Sequence, residues 1–405
     1  MPAEKRWLTT AETARRLGVK PETIYAYVSR GLLRSRPAER RRGSLFDPDD
    51  VDRLTERRQG RSASGAMERI RTELTLIVDD ELFYRGHRVT GLARTHRFEA
   101  VARLLWGAEP ASADPFAESA GLVDVAVAAI SALPADVRLT DRVRVAVAAV
   151  AAADPLRYDL TPAAVVRRAE SLLAVLVTAL GAAADPAGRP SEPGLAARLW
   201  PALVTRPRAA QPAELVLIER ILILLVDHDL AVSTVAARVA ASARAHPYAV
   251  VSAGLGALDG PYHGAASSLA HRFLADALDD PVRALSDRLR DGAPIPGFGH
   301  RIYRNRDPRA ELILAELREH AGAGRIVAAV QDLGAQLAGR PGAFPNVDLA
   351  LAAVQHALQL RPDAGEALFA LARTVGWVAH ALEEYRGPGL RFRAEGIYVG
   401  QRPSD

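Results

Sequence analysis

The 405-residue chain contains no cysteine. Disulfides, thiolate metal ligands and cysteine nucleophiles are therefore excluded. It has no H-E-x-x-H word and no histidine pair four apart on one helix, so a zinc site is not expected and no bound metal is implied. A G-x-S-x-G nucleophile elbow and a Walker-type phosphate loop are also missing. The opening residues, MPAEKRWLTT, are charged and lack an apolar stretch, so no secretory signal is expected. The longest nearly apolar run, Leu172 to Ala184, is too short to cross a bilayer. The expectation is a soluble cytoplasmic protein with no membrane partner. Internal repeats are absent, and few runs alternate as strands do.

What is present is globular in character, with 49% hydrophobic and 25% charged residues. A chain of this length can bury a substantial core without covalent staples. The net charge of +4 is unevenly spread: residues 1–61 carry +6, leaving −2 for the remainder. A local basic excess points to a polyanion partner for the N-terminus, although a solvated arginine-rich face fits the same composition.

The N-terminal words give that excess a setting. Thr9-Thr10-Ala11-Glu12 reads as a capping box opening a helix with Ala11, Ala14 and Leu17 on its apolar face, and Gly18 closes it. Pro21 suits the first position of a second helix with apolar Ile24, Tyr25 and Val28, closed by Gly31. A basic stretch containing Arg40-Arg41-Arg42-Gly43-Ser44 follows as a hairpin or wing. Asp47-Pro48-Asp49-Asp50 then starts a further helix. The words LTTAETARRLGVKPETIYAYVSRGLL and LFDPDDVDRL resemble the winged helix-turn-helix modules of the MerR and excisionase type. That resemblance implies DNA binding, with Thr23, Tyr27 and Arg30 contacting the major groove and Arg40, Arg41 and Arg42 contacting phosphates. A helical module docking only onto protein fits the same pattern.

Residues 1–57 are thus assigned to this module and 58–66 (within RQGRSASGA) to a flexible linker. Residues 67–405 are assigned to one large helical domain. Leu122–Leu133, Ala163–Leu180, Ala213–Leu225 and Ser233–Ala243 repeat apolar residues at helical spacing, with Pro and Gly between them. Asp185–Gly194 reads as a loop.

Three loops stand out from that helical background: Gly260 to Ala265 (GPYHGA), Pro294 to Arg301 (PIPGFGHR) and Phe344 to Asp348 (FPNVD). Each sets His263, His300 or Asp348 beside Gly or Pro, where the backbone can turn sharply and approach a ligand. One loop histidine is more often a surface hydrogen-bonding residue, but two with an aspartate suggest acid–base chemistry on a carbonyl compound.

These loops, in this order, are similar to the signature loops of the citrate synthase family. The flanking words agree: LIVDDELFYRGHRV, VDHDLAVSTVAARVAAS, GHRIYRNRDPRA, FALARTVGWVAHALEE and the terminal RFRAEGIYVG. The resemblance covers about residues 70–405, with Ala111 to Glu214 matching only in helical character. It implies an all-α, two-lobed helical fold, with a large lobe of about 67–262 and 370–405 and a small lobe of about 263–369. The implied assembly is a homodimer that closes around its substrates.

The implied reaction condenses acetyl-CoA with oxaloacetate and water to give citrate and CoA. CoA thioester would be a co-substrate, and no permanently bound cofactor is implied. Asp348 matches the base, His263 the donor to the thioester oxygen and His300 the donor that polarises the ketone. His228, Arg309 and Arg373 match oxaloacetate ligands, and Arg391 matches an arginine supplied across the dimer interface. Pro296, Gly297, Phe298 and Gly299 match the loop that cradles the CoA adenine, and Arg304 matches a phosphate contact. Departures occur at His263-Gly264-Ala265-Ala266-Ser267, at Leu349 and at Phe392, touching the pocket wall and the interface arginine. Two further readings stay open: a 2-methylcitrate synthase using propionyl-CoA, and a DNA-binding regulator whose enzyme-like domain senses CoA or oxaloacetate.

Overall fold

The computed structural model describes residues 7–29, 31–38, 43–48, 50–51, 70–107, 114–186, 194–260, 264 and 266–392. The chain divides into two compact units, Met1–Arg71 and Thr72–Asp405. The fold class is all-α, as expected, with two small antiparallel sheets.

In the first unit the elements are β1 (Leu8–Thr9), α1 (Thr10–Leu17), α2 (Pro21–Ser29), β2 (Ser35–Pro37) and β3 (Ser44–Phe46). Thr9 and Glu12 form the reciprocal capping box that starts α1, and Gly18 ends it at φ 62°, a left-handed turn glycine adopts at no steric cost. β3 lies between β1 and β2. Residues 48, 50 and 51 are helical, and Arg34 binds Asp47 and Asp50, each at 2.8 Å. Ala14, Leu17, Ile24, Leu33, Phe46 and Val51 form the core.

One expectation is corrected. Tyr25, expected on the apolar face of α2, is 57% exposed, while Tyr27 packs against the core. Ile24, fully buried, sets the inward face, and residues three and four further on share that face, whereas the next residue turns about 100° away. Arg30, Arg40, Arg41, Arg42 and the 58–66 linker lie outside the described residues.

The second unit opens with a meander, β4 (Thr75–Val78), β5 (Glu81–Tyr84) and β6 (His87–Arg88). Asp79 and Asp80 form its first turn at φ 50° and 58°. Two consecutive positive φ values match the twist of a tight hairpin, and aspartate tolerates them better than most residues. The strands were not read from the sequence, because four-residue runs carry too little alternation to separate from helix.

The helices follow in order. First come α3 (Val89–Thr95), α4 (Phe98–Leu105), α5 (Ala120–Ser131), α6 (Leu139–Ala153), α7 (Pro162–Ala184) and α8 (Leu195–Leu203). Then come α9 (Pro212–Leu224), α10 (Val232–Ser242), α11 (Pro247–Leu258), α12 (Ala266–Asp279) and α13 (Pro281–Arg290). Last are α14 (Pro308–Arg318), α15 (Gly324–Gln336), α16 (Val347–Ala357) and α17 (Ala364–Arg386). Proline at the first position starts α7, α9, α11, α13 and α14, where a missing N–H costs nothing. α12 to α16 pack chiefly on one another, while α17 packs on α6, α7, α10 and α11. Among the described residues no helix is long and apolar enough to cross a membrane.

α17 is buried on nearly all sides and carries two of the largest fully buried side chains, Trp377 and Arg373. It reaches this position because α11 presents Gly254 to it: a Cβ at 254 would lie 2.5 Å from the Trp377 ring. Gly254→Ala is therefore expected to overpack this contact and destabilise the chain by about 1–3 kcal/mol. Urea denaturation measures the change, and an unchanged midpoint would show that α11 and α17 separate freely.

Candidate functional site

The second and third signature loops are built as a pair. Phe298 forms an isolated antiparallel bridge with Pro345. Gly299 N–H donates to Phe344 O at 2.8 Å, Asn346 N–H to Gly297 O at 2.9 Å, and Asn346 Nδ2 to Gly299 O at 2.8 Å. Gly297 sits at φ 81°, and a Cβ there would lie 2.6 Å from Leu349 Cβ, so only glycine lets the loop settle on α16. Leu349, one of the departures, is fully buried beneath that glycine. Asn346 caps α16 through Oδ1, which accepts from Asp348 N and Leu349 N. This places Asp348 in the first helical turn.

Asp307 joins this pair to Arg309. Its fully buried carboxylate accepts from Arg309 N at 3.0 Å, Nε at 2.9 Å and Nη2 at 2.8 Å. It also accepts from Val347 N, at the start of α16, at 3.0 Å. Arg309 and Asp348 are thereby held by one group.

His300, His228 and Tyr303 meet as rings. Centroids lie 5.0 Å apart for His228–His300, 5.3 Å for His228–Tyr303 and 4.7 Å for His300–Tyr303. The Arg309 guanidinium carbon is 5.4 Å from the Tyr303 ring centroid. His300 Nδ1 accepts from Ile302 N at 3.0 Å and Tyr303 N at 3.2 Å, so the ring proton resides on Nε2. Burial, and then the Arg309 charge, pushes the His300 pKa down to about 4. Burial, Arg309, His300 and Arg373 hold His228 well below the ordinary imidazole value. Both histidines are therefore neutral at pH 7.

Arg309 and Arg373 are 2% and 1% exposed, a depth at which an arginine needs partners. Burial alone would lower the Arg309 pKa, but the charge and hydrogen bonds of Asp307 outweigh it and raise the value. Arg373 commits Nε to Leu225 O at 3.0 Å and lies over the Phe369 ring at 4.5 Å. Among the described residues its two Nη groups and Arg309 Nη1 have no acceptor, so the site offers buried cationic donors to an anion. Asp348 lies deep among protein atoms yet keeps part of its surface open, and burial raises its pKa to about 6, against the opposing charge of Arg309.

His228 is positioned by Asp227, which is wholly buried. Tyr84 OH donates to Asp227 O at 3.0 Å and accepts from Asp227 N at 3.2 Å. Thr75 Oγ1 donates to the Asp227 carboxylate, and His380 Nε2 lies 3.3 Å from it. The polar chain continues outward. His380 Nδ1 meets Arg238 Nη1 at 2.5 Å, Arg238 Nε donates to Glu384 at 2.5 Å, and Arg391 forks onto Glu384 at 2.6 and 2.7 Å. Within one chain Arg391 therefore pairs with Glu384.

Arg304 has an exposed side chain, but its backbone is anchored. Asp80, in the hairpin turn, accepts from Arg304 N at 2.7 Å, Asn305 N at 3.0 Å and Asn305 Nδ2 at 2.9 Å. The Arg304 N–H is the largest cause holding the Asp80 carboxyl below its usual value. His263 lies outside the described residues, and its neighbour Gly264 donates to Leu258 O at 2.9 Å. The structure thus brings together His228, His300, Asp348, Arg309 and Arg373, with Pro296 to Gly299 bridged to the Asp348 segment. Sequence reasoning missed Asp80, Asp227, Tyr303 and Asp307. Asp307 could have been found as the N-cap of the quoted DPR word, while the others depend on long-range contacts.

The raised Asp348 pKa carries a stability consequence. The fold favours the protonated carboxyl, so this contribution is complete below about pH 4 and lost as pH rises through about 6. Asp348→Asn, neutral throughout, is expected to be more stable than the parent at pH 8 by about 1–2 kcal/mol, residual solvent contact reducing the full effect. The difference should vanish near pH 4. Urea denaturation at both pH values checks this, and an Asn variant less stable at pH 8 would contradict the burial argument.

The chain matches the family "Citrate synthase, C-terminal domain" over residues 66–393 and the family "Helix-turn-helix domain" over 7–59. It is 31% identical to 2-methylcitrate synthase 2 of Corynebacterium glutamicum over 339 residues, 77% of this chain and 87% of that protein. It is 36% identical to the citrate synthase of Saccharolobus solfataricus over 193 residues, 45% of this chain and 51% of that protein. The solved citrate synthase of Thermoplasma acidophilum, in a ternary complex with carboxymethyl coenzyme A and oxaloacetate, is 25% identical with a TM-score of 0.69, covering 85% of this chain and 97% of that one. With the family match spanning most of its length and a relative aligned over most of theirs, this chain belongs to the citrate synthase family, a citrate synthase-type acyltransferase bearing an N-terminal helix-turn-helix domain.

Proposed function

We propose that the chain condenses an acyl-CoA thioester with oxaloacetate and water, giving a hydroxytricarboxylate and free CoA. The observation that carries this reading is the pairing of two buried, partly uncommitted guanidinium groups with neutral imidazoles and a carboxylate raised to about 6. Removing a proton beside a thioester carbonyl needs a base close to its working pH, and Asp348 supplies one. His263 is assigned to hydrogen-bond the thioester oxygen as charge develops. His300, with its proton on Nε2, donates to the ketone oxygen of oxaloacetate and so makes that carbon electrophilic. Arg309, Arg373 and His228 hold the keto-acid carboxylates, with Arg391 supplied from a second copy in a homodimer. Pro296 to Gly299 hold the adenine of CoA, and Arg304 binds a phosphate. Closure of the 263–369 lobe against the remainder would exclude water from the site.

Acetyl-CoA is the proposed thioester, with propionyl-CoA the alternative favoured by the C. glutamicum relative. The helix-turn-helix domain supports a second role, binding DNA through α2. Thr23 and Tyr27 are assigned to the groove, and the exposed Tyr25 is added as a further contact, while Tyr27 also packs against the core of the unit.

Free CoA release from each thioester plus oxaloacetate tests the reaction. Asp348→Ala is expected to lower turnover about 10²- to 10⁴-fold. kcat should fall below about pH 6 as Asp348 takes up a proton, with no separate histidine limb near the ordinary imidazole value. A folded parent protein that releases no CoA from either thioester sinks the proposal. For the second role, DNA affinity of the full chain should fall steeply with salt and with Tyr25→Ala. Equal affinity for all sequences would remove the regulatory reading.

A further inference from the structure

The hydroxyls of the buried Tyr84 and Tyr248 and of the half-buried Tyr385 are spent on named partners. Tyr84 OH binds Leu224 O and the Asp227 backbone, Tyr248 OH donates to Asp154 at 2.9 Å, and Tyr385 OH donates to Ala245 O at 2.6 Å. Tyr303 is 2% exposed, and its hydroxyl has no hydrogen-bond partner. An unsatisfied hydroxyl at that depth is destabilising, and in native proteins it calls for a specific reason. The neighbouring ring, His228, also carries a buried nitrogen without a partner, Nε2. Two unpartnered polar atoms on adjacent rings, beside two guanidinium groups that each keep donors to spare, describe a site built for a polar occupant.

Tyr303 already serves the site through its backbone N–H, which helps fix the His300 tautomer, and through its ring, which packs against His228, His300 and Arg309. Neither role uses the hydroxyl, since phenylalanine would provide both. Burial raises the phenol well above its usual pKa, so it stays a neutral donor at any working pH.

We propose that the Tyr303 hydroxyl is a substrate-contacting group that donates a hydrogen bond to a carboxylate oxygen of the bound keto acid. The inference rests on the keto-acid reading of the site above. It makes Tyr303 a specificity group: a dianion held by guanidinium charge alone could slide, and a fixed neutral donor orients it.

Tyr303→Phe removes one oxygen and nothing else. In the full-length protein it is expected to leave the ligand-free unfolding temperature unchanged or higher, because an orphaned group is deleted. Oxaloacetate binding, measured by calorimetry, should weaken about tenfold to hundredfold, the loss of a hydrogen bond to a charged group. The KM for oxaloacetate should rise with it, while the acyl-CoA KM stays within about twofold. Oxaloacetate affinity equal to the parent's overturns the proposal. A clear drop in ligand-free unfolding temperature also overturns it, since the hydroxyl would then have an internal partner. If the parent itself does not bind oxaloacetate, the keto-acid reading fails and this inference with it, a result distinct from a parent that binds and a variant that binds equally well.

Discussion

Four N–H groups converge on the carboxylate of Asp307, three from Arg309 and one from Val347. This buried fork sets the distance between Arg309 and the helix that carries Asp348. A buried ion pair is favourable only when its remaining hydrogen-bonding capacity is filled, and here the backbone amides at the starts of α14 and α16 fill it. Removing either partner would leave an uncompensated charge, so the pair behaves as a single rigid element. His300, Tyr303 and Arg304 lie on the chain leading into it, and Asp80 pins that segment from the hairpin turn.

The electrostatics of the site follow from burial acting differently on different groups. Guanidinium groups stay charged because their intrinsic pKa is far above neutrality, so burying two of them creates an anion-seeking field. Burial, reinforced by that field, strips the imidazoles of their extra proton and leaves His300 a neutral donor with a defined tautomer. Asp348 is pushed the other way, toward the pH at which a carboxylate can both take and return a proton. One low-dielectric environment thus yields two buried cations, two neutral rings and a carboxyl raised to about 6. The chain from Asp227 through His380, Arg238 and Glu384 to Arg391 extends this arrangement outward, tying the segment before His228 to the C-terminal arginine.

Much of the site was legible because its loops are punctuated by Gly and Pro and hold their titratable residues at short spacing. His300 and Asp348 stand out in such words, whereas Arg309 was reachable only through the family resemblance. Tyr303 could not, since a tyrosine three residues after a histidine signals nothing until the rings are seen to touch. Asp80 was hidden for the opposite reason: its partners are more than two hundred residues away, and the β4–β5 turn that delivers it is too short to announce itself. In the helix-turn-helix unit the spacing of Ile24, Tyr27 and Val28 was available, but choosing Tyr25 placed the wrong tyrosine inside.

Taken alone, the sequence determined the helical class, the capped start of α1, the basic N-terminal module and the identity of the chemistry-bearing loops, because these depend on residues within a turn or two of each other. Only the tertiary structure decided which groups lie together, which protons they hold and which buried atoms lack a partner. Those properties depend on distances across the fold and on exclusion of water, and neither is encoded in local spacing.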